Sequence, residues 1–273
     1  MQQSFSTPER ISLFVTIGGG DVVVDARDVD TADVEVTGEH ADDVTVEQRG
    51  DELHVSGPPR RGGLFGSRDG LHVRVTLPTG SRVLTRLGSA DLTVTGSIGE
   101  ASFKTGSGSI RAESITQDAV VESGSGDVSL ASVDGDLQVT SGSGDIELGP
   151  LGAAAAVTTG SGSVRIDSVV NEVACKTGSG DLDVGEAGGD VALRTGSGSI
   201  TIGRAVRGQL VARTGSGNVR VGIPSGVPVW TDVQSGSGQV RSDLAGVGEP
   251  QEGQDFIELR AKTGSGNVYL ERL

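Results

Sequence analysis

A Gly-Ser-Gly triplet recurs with an 18-residue period through the middle of the chain. A fixed period of about 20 residues is typical of a stacked architecture in which each repeat forms one coil. A Gly-Ser-Ala variant begins one period before the first triplet, at Gly88, and the last three triplets follow at longer intervals. The triplets begin at Gly106, Gly124, Gly142, Gly160, Gly178, Gly196, Gly215, Gly236 and Gly264.

Within each coil the apolar residues alternate with polar ones in short runs bounded by Gly, Ser and Asp. This alternation predicts strands, and helical periodicity is absent. One coil alone cannot hide its inward side chains, so neighbouring coils must cover them. The sequence therefore predicts an all-β fold: a single elongated parallel β-solenoid, or β-helix, with 18-residue coils. One coil, for example, places Ile146, Leu148, Leu151, Ala155 and Val157 inward.

The regular register does not extend over the whole chain. Residues 1–87 keep the strand alternation but lack the triplet, so we expect irregular N-terminal β coils and a cap there, since terminal repeats are usually atypical. The Gly- and Pro-rich stretch 57–70 predicts a flexible loop. Residues 88–273 then form the regular Gly-Ser-Gly solenoid, with an insertion near 243–254.

The repeated units TGSGS[IV] and SGSGD[VI], from Thr105 to Val268, carry a resemblance to a known family. With the strand-rich N-terminal stretch, they make the chain similar to bacterial β-strand-repeat proteins called putative adhesins, a family of unknown function. The resemblance implies a β-solenoid and an adhesin-like role. It supplies no catalytic residues and no cofactor.

Charge and hydropathy narrow the partners and the location. The formal net charge is −15 and the pI is near 4.5, which disfavours a nucleic-acid partner because phosphate binding needs clustered Lys and Arg. No run approaches the ~20 apolar residues of a membrane span, so we expect no direct membrane insertion. The N-terminus has no basic region followed by an apolar one, and we therefore expect a cytoplasmic protein.

Acidic residues recur in columns beside the triplets. From Asp118 to Asp145 a carboxylate occurs at every ninth position, a spacing also found in calcium-binding β-rolls, although here Asp follows Gly directly. Two interpretations stay open: solvated surface columns, or weak calcium sites. The candidate calcium ligands are Asp118, Asp127, Asp136 and Asp145.

Two basic features are candidates for binding a partner, with plain solvated surface as the alternative for both. Lys176, Arg194 and Arg213 fall at one outward offset in successive coils and predict a basic stripe. The predicted loop 57–70 also presents basic and apolar residues together, a plausible docking element. Its candidate residues are Arg60, Arg61, Leu64 and Phe65.

The final coil, 264–273, has regular strand alternation with Val268 and Leu270 inward. If it ends the stack, its open strand edges invite self-association through the C-terminal coils. A protein partner is the other expectation, and a glycan remains possible.

No group of residues predicts catalysis. His40, His54 and His72 lack metal-ligand spacing, and Cys175 occupies an inward position typical of a buried packing thiol. We therefore predict a non-enzymatic β-solenoid scaffold or protein-interaction module, adhesin-like, with no cofactor. The alternatives are a self-assembling filament, resembling bactofilins in architecture, and a carbohydrate-binding or carbohydrate-cleaving β-helix.

Overall fold

The computed structural model describes residues 1–7, 9–58, 70–244 and 255–273. Strands dominate these residues, which contain no α-helix and one 3₁₀ turn, Ala41–Asp43, so the predicted all-β class is confirmed. No helix in the described part of the chain is long and apolar enough to cross a membrane. The chain forms two compact units, unit 1 from Met1 to Asp136 and unit 2 from Leu137 to Leu273.

Unit 1 contains thirteen described strands in two sheets. One sheet has the order β1-β4-β7-β3-β9-β11-β13 and the other the order β12-β10-β8-β2-β6-β5. The strands are β1 (Gln2–Ser6), β2 (Ser12–Ile17), β3 (Asp21–Arg27), β4 (Thr31–Thr37), β5 (Thr45–Arg49), β6 (Glu52–Ser56), β7 (His72–Pro78), β8 (Arg82–Leu87), β9 (Asp91–Ile98), β10 (Ala101–Thr105), β11 (Ile110–Ile115), β12 (Ala119–Ser123) and β13 (Val128–Leu130).

Unit 2 also has two sheets, which we name by their strands. The odd sheet has the order β15-β17-β19-β21-β23-β27-β25 and the even sheet the order β14-β16-β18-β20-β22-β26-β24. The strands are β14 (Leu137–Ser141), β15 (Ile146–Leu151), β16 (Ala155–Ser161), β17 (Val164–Val169), β18 (Glu172–Ser179), β19 (Leu182–Ala187), β20 (Asp190–Ser197), β21 (Ile200–Ala205), β22 (Gly208–Ser216), β23 (Val219–Ile223), β24 (Val229–Ser237), β25 (Val240–Ser242), β26 (Ile257–Ser265) and β27 (Val268–Arg272).

In unit 2 the 18-residue period sets the strand register. Ile146 pairs with Val164, Val164 with Leu182 and Leu182 with Ile200, each one period further along the chain. All these pairings are parallel. Each repeat therefore contributes one strand to each sheet and stacks on its neighbours, as a coil of a solenoid does.

The predicted inward residues form the core between the two sheets. Ile146, Leu148, Leu151, Ala155 and Val157 are each at most 6% exposed. Complete burial of a large apolar side chain stabilises a fold by about 1.5–3 kcal/mol. The period-two alternation therefore identifies the core correctly, and every coil adds a new layer to it.

Unit 1 departs from the prediction of purely parallel strands. β4 pairs antiparallel with both β1 and β7, and β5 pairs antiparallel with β6. The sheets of unit 1 are therefore mixed. The short turn between β5 and β6 accounts for one antiparallel pair, because it joins strands that run in opposite directions, whereas β4 is distant in the chain from both of its partners. All of these antiparallel pairs precede residue 88, and the predicted division of the chain at that residue stays a prediction.

The expectation that the final coil ends the stack is wrong. β26 lies between β22 and β24, and β27 lies between β23 and β25, so the coil of β24 and β25 is the end of unit 2. Val268 and Leu270 are buried. The physical reason is burial, since the end coil has Thr231 opposite Leu259 and Ser242 opposite Leu270. The more apolar coil occupies the covered layer.

Candidate functional site

The Gly-Ser-Gly triplets and the hydroxyl column before them have a packing role. Thr177, Thr195 and Thr214 are buried, and the Oγ1 of each donates a hydrogen bond to a glycine carbonyl of the preceding coil, at 2.8–3.2 Å. A Cβ on Gly178 would lie 2.6 Å from the carbonyl oxygen of Gly160. Glycine is required there because the backbones of successive coils approach so closely.

The acidic columns support the turns between coils. Asp145 accepts a hydrogen bond from the backbone N–H of Ser163 at 2.8 Å, and Asp181 accepts one from Ser199 at 2.7 Å. A carboxylate that accepts a backbone N–H forms a charge-assisted hydrogen bond, stronger than a neutral one. Each of these carboxylates therefore satisfies a donor that the sharp corner of the next coil leaves without a strand partner.

The four candidate calcium ligands do not share one turn. Asp118 and Asp136 occupy the turns before β12 and β14, and Asp136 donates its backbone N–H to Asp118 at 3.0 Å. Asp127 and Asp145 occupy the turns before β13 and β15. In the residues that the structure describes, no group of three or more His, Cys, Asp or Glu could hold a metal ion. Calcium binding stays a prediction.

The remaining reactive side chains are dispersed or buried. His72 pairs with Asp21, His40 pairs with Asp43, and His54 stacks on Phe14 with 4.6 Å between ring centroids. The Cys175 thiol is buried, and burial raises its pKa to about 12. Since the thiolate is the nucleophile, this cysteine is inert at neutral pH.

The two predicted partner-binding features have different outcomes. The loop residues Arg60, Arg61, Leu64 and Phe65 lie outside the described residues. The basic stripe is present in the structure, because Lys176 pairs with Arg194 and Arg194 with Arg213 on adjacent strands of the even sheet. All three side chains are exposed. That this stripe binds a partner stays a prediction.

The stripe belongs to a larger pattern on the outward surface of the even sheet, which we call the even face. Arg213 pairs with Lys262, which extends the stripe to four cations on strands about 4.8 Å apart. We call this set the basic row. Sequence order did not reveal this neighbour: Lys262 precedes its triplet by two residues, as Arg213 does, but the coil of the Gly236 triplet, with Gln234 at that offset, lies between them in the chain. The basic row comprises Lys176, Arg194, Arg213 and Lys262.

Four residues earlier along each strand runs a row of opposite character. Glu172 pairs with Asp190, and Gln209 pairs with Glu258. Gln209 Nε2 donates to Glu258 Oε2 at 3.3 Å, and the backbone N–H of Gln209 donates to Asp190 at 2.8 Å. The acidic columns were predictable from the sequence, but their position beside the basic stripe follows only from the strand pairing. The acidic row comprises Glu172, Asp190, Gln209 and Glu258.

Small apolar residues separate the two charged rows. Ala156 pairs with Ala174, Ala174 with Ala192, and Ala192 with Val211. These side chains are exposed or half-buried. Outward residues follow one another every second position, so each charged row lies roughly 6.6 Å from this alanine row. The alanine row comprises Ala156, Ala174, Ala192 and Val211.

The outward face of the odd sheet has a different charge pattern. Arg165 lies 3.7 Å from Asp183, Arg204 lies 3.5 Å from Glu186, and Arg220 lies 3.1 Å from Glu271. Opposite charges therefore stack on neighbouring strands and neutralise each other within the chain. On β18, β20 and β22 the even face instead stacks like charges, whereas at its end Lys262 lies 4.0 Å from Asp232.

An open groove of about 630 Å³ borders the acidic row. Its walls include the exposed apolar side chains Val170 and Phe256. Arg207 reaches across it, with Nη1 3.8 Å from Asp255 and Nε donating to the Gly188 carbonyl at 2.8 Å. The even face therefore ends on this side in exposed apolar groups, and on the opposite side in the glycines of the triplets.

Comparison with known families gives two matches. The family described as "Putative auto-transporter adhesin, head GIN domain" matches residues 15–203. The family described as Toastrack matches residues 151–272. No curated protein matches the sequence.

Solved structures are similar over nearly the full length at low sequence identity. A putative adhesin from Bacteroides fragilis is 14% identical with a TM-score of 0.45, and the alignment covers 99% of this chain and 96% of that one. A putative lipid binding protein from Parabacteroides distasonis is 12% identical with a TM-score of 0.42, at 99% and 96% coverage.

Proposed function

The chain belongs to the family described as putative auto-transporter adhesin, head GIN domain, and we propose that it is a non-enzymatic β-solenoid interaction module. The proposed binding surface is the even face of unit 2. The family itself supports an adhesin-like character.

The stacking of like charges on the even face carries this proposal. Like charges directly opposite one another on neighbouring strands destabilise a sheet. Lys176, Arg194 and Arg213 have no ion-pair partner among the described residues of the chain. A surface that keeps such repulsion in the free state gains most from a partner that supplies the opposite charge.

Regularity also favours binding over catalysis. The rows repeat from coil to coil, whereas catalysis needs different groups that converge on one reacting atom. The family is described by adhesion, not by a reaction. A rigid β-sheet holds a wide, flat array of side chains at fixed spacing, which suits recognition of another extended surface.

A cytoplasmic location is also part of the proposal.

Site-specific photo-crosslinking tests the proposed face. A photoreactive residue replaces Thr158, which lies beside Lys176 on the even sheet, or Thr201, which lies beside Asp183 on the odd sheet. After irradiation of the protein in an extract of its host, we expect discrete higher-mass products from the Thr158 position and not from Thr201. Products of equal yield from both positions, or from neither, would contradict the proposal.

A further inference from the structure

We propose that the even face of unit 2 binds the even face of a second copy of the same chain, around a two-fold axis that runs along the alanine row. This inference rests on the proposed function and names its partner. The two copies pack face to face, and their coils stack in the same direction. The interface is isologous, because the same residues contribute to it from both copies.

The strand register produces charge complementarity across this axis. A residue two positions before the alanine row faces the residue two positions after it in the second copy. Glu172 then faces Lys176 of the second copy, and Asp190 faces its Arg194. Gln209 faces Arg213 as a neutral acceptor. Each facing pair occurs twice, so the cations that stack on one another within a copy gain the counter-charges that the copy lacks.

The charges also select this arrangement over the alternative. Two even faces can instead meet around a two-fold axis that runs along the strands, at right angles to the rows. That arrangement places the acidic row of one copy on the acidic row of the other, and the basic row on the basic row. Juxtaposed like charges in an interface cost several kcal/mol. The segregation of charge into two rows, symmetric about a neutral one, therefore specifies copies whose coils stack in the same direction.

The apolar groups fit the same axis. Ala156, Ala174 and Ala192 have short side chains, so two alanine rows can approach closely and exclude water along a narrow seam. Four positions before the centre, the exposed Val170 of one copy faces Gly178 of the second copy. This glycine leaves room for the projecting side chain, although the close backbone approach between coils already requires it.

Arg260 marks the limit of the seam. It continues the alanine row onto β26, where it would face its own equivalent, and Glu258 of the same strand already holds it at 2.6 Å. At the other limit β16 offers Thr158, which is uncharged. We therefore assign the interface to β16, β18, β20 and β22.

The size of this surface indicates a weak dimer. Four strands at ~4.8 Å and nine positions at ~3.3 Å outline roughly 500 Å² per copy. A standard stable interface buries about 800 Å² per partner. We therefore expect a dissociation constant in the micromolar range or above, and a dimer that dissociates as salt screens the facing charges.

Analytical ultracentrifugation of the full chain tests the inference, because it measures the mass of the species in solution. Protein concentrations from ~1 µM to ~1 mM bracket a micromolar dissociation constant. The wild type should form dimers and no larger species. Glu172→Lys and Lys176→Glu should each raise the dissociation constant more than about tenfold, because each reverses both copies of one facing pair. Within a copy either change places opposite charges on adjacent strands, so neither should lower the melting temperature.

Mixing the two variants gives the decisive result. In a mixed pair, Lys at 172 of one copy faces Glu at 176 of the other, and Lys at 176 faces Glu at 172. An equimolar mixture should therefore recover dimer that neither variant forms alone. Arg165→Glu is the matched control, since it makes the same charge reversal on the odd face and should leave the dimer unchanged.

Wild type that remains monomeric at the highest concentration, or a mixture that shows no recovery, overturns the inference. The proposed function has a separate outcome. If the photoreactive residue at 158 captures a different molecule while the chain stays monomeric, the even face is a binding surface and only the second copy is excluded as its partner.

Discussion

The inserted position of the final coil predicts that the same Val→Ala substitution lowers the free energy of unfolding by different amounts at two paired positions. Val240 and Val268 pair on adjacent strands of the odd sheet. Val268 is 0% exposed and Val240 is 47% exposed. Val→Ala at Val268 removes about 1.6 kcal/mol of transfer free energy at ~0.8 kcal/mol per CH₂. A cavity term raises the expected loss to about 2–3 kcal/mol.

The same change at Val240 should cost less than about 1 kcal/mol, since half of the side chain is already in water. Urea unfolding of the full chain measures the difference, with the single tryptophan of the chain, Trp230, as a probe that lies in unit 2. The two midpoints should differ by about 1 M for a slope of ~2 kcal/mol/M. Equal midpoints, or a larger loss at Val240, would refute the inserted position of the final coil.

Three further predictions follow from burial and from the acidic columns. Ile146→Asp should abolish cooperative unfolding of unit 2, because it places an unpaired charge in the core, whereas Glu147→Asp on the same strand should leave circular-dichroism melting unchanged; equal effects would reject the alternation. Since burial raises the pKa of Cys175 to about 12, the thiol should stay unmodified by Ellman's reagent at pH 8 until denaturant is added, and prompt native reaction would contradict its burial. Millimolar calcium should leave the melting temperature unchanged, whereas a specific ligand at 100 times its dissociation constant adds about 2.7 kcal/mol; a calcium-specific rise, absent with magnesium, would instead support ligands such as Asp145.

The regular coils were predictable because one signal sets both their register and their core. The 18-residue period places Ile146 beside Val164, and the alternation points both of them inward. The basic stripe follows from the same arithmetic. Where the interval between Arg194 and Arg213 exceeds the period by a single residue, the pairing still holds, since the extra residue falls in the turn before β22.

The coil order at the C-terminal end was not predictable, because a repeat pattern states which segments form coils and not the order in which they stack. Sequence order places the coil of β26 and β27 last. Burial places it inside, where Leu259 and Leu270 are covered, and leaves the coil containing Thr231 and Ser242 at the edge. The antiparallel strands of unit 1 escaped prediction for a similar reason, as β-alternation is the same for both strand directions.

The two outward faces of unit 2 differ in their charge patterns, and only the strand pairing reveals this difference. These patterns can be compared with the one that selection for solubility alone would produce. Random placement of charges on neighbouring strands would mix signs, and the odd face does so, with Arg165 beside Asp183 and Arg220 near Glu271. On β18, β20 and β22 of the even face the signs are sorted by row, at the expense of repulsion within each row. Sorting of this kind lowers the stability of the isolated chain and raises the contrast between right and wrong contacts. The sorted charges of the even face are therefore the feature on which the proposed binding surface rests.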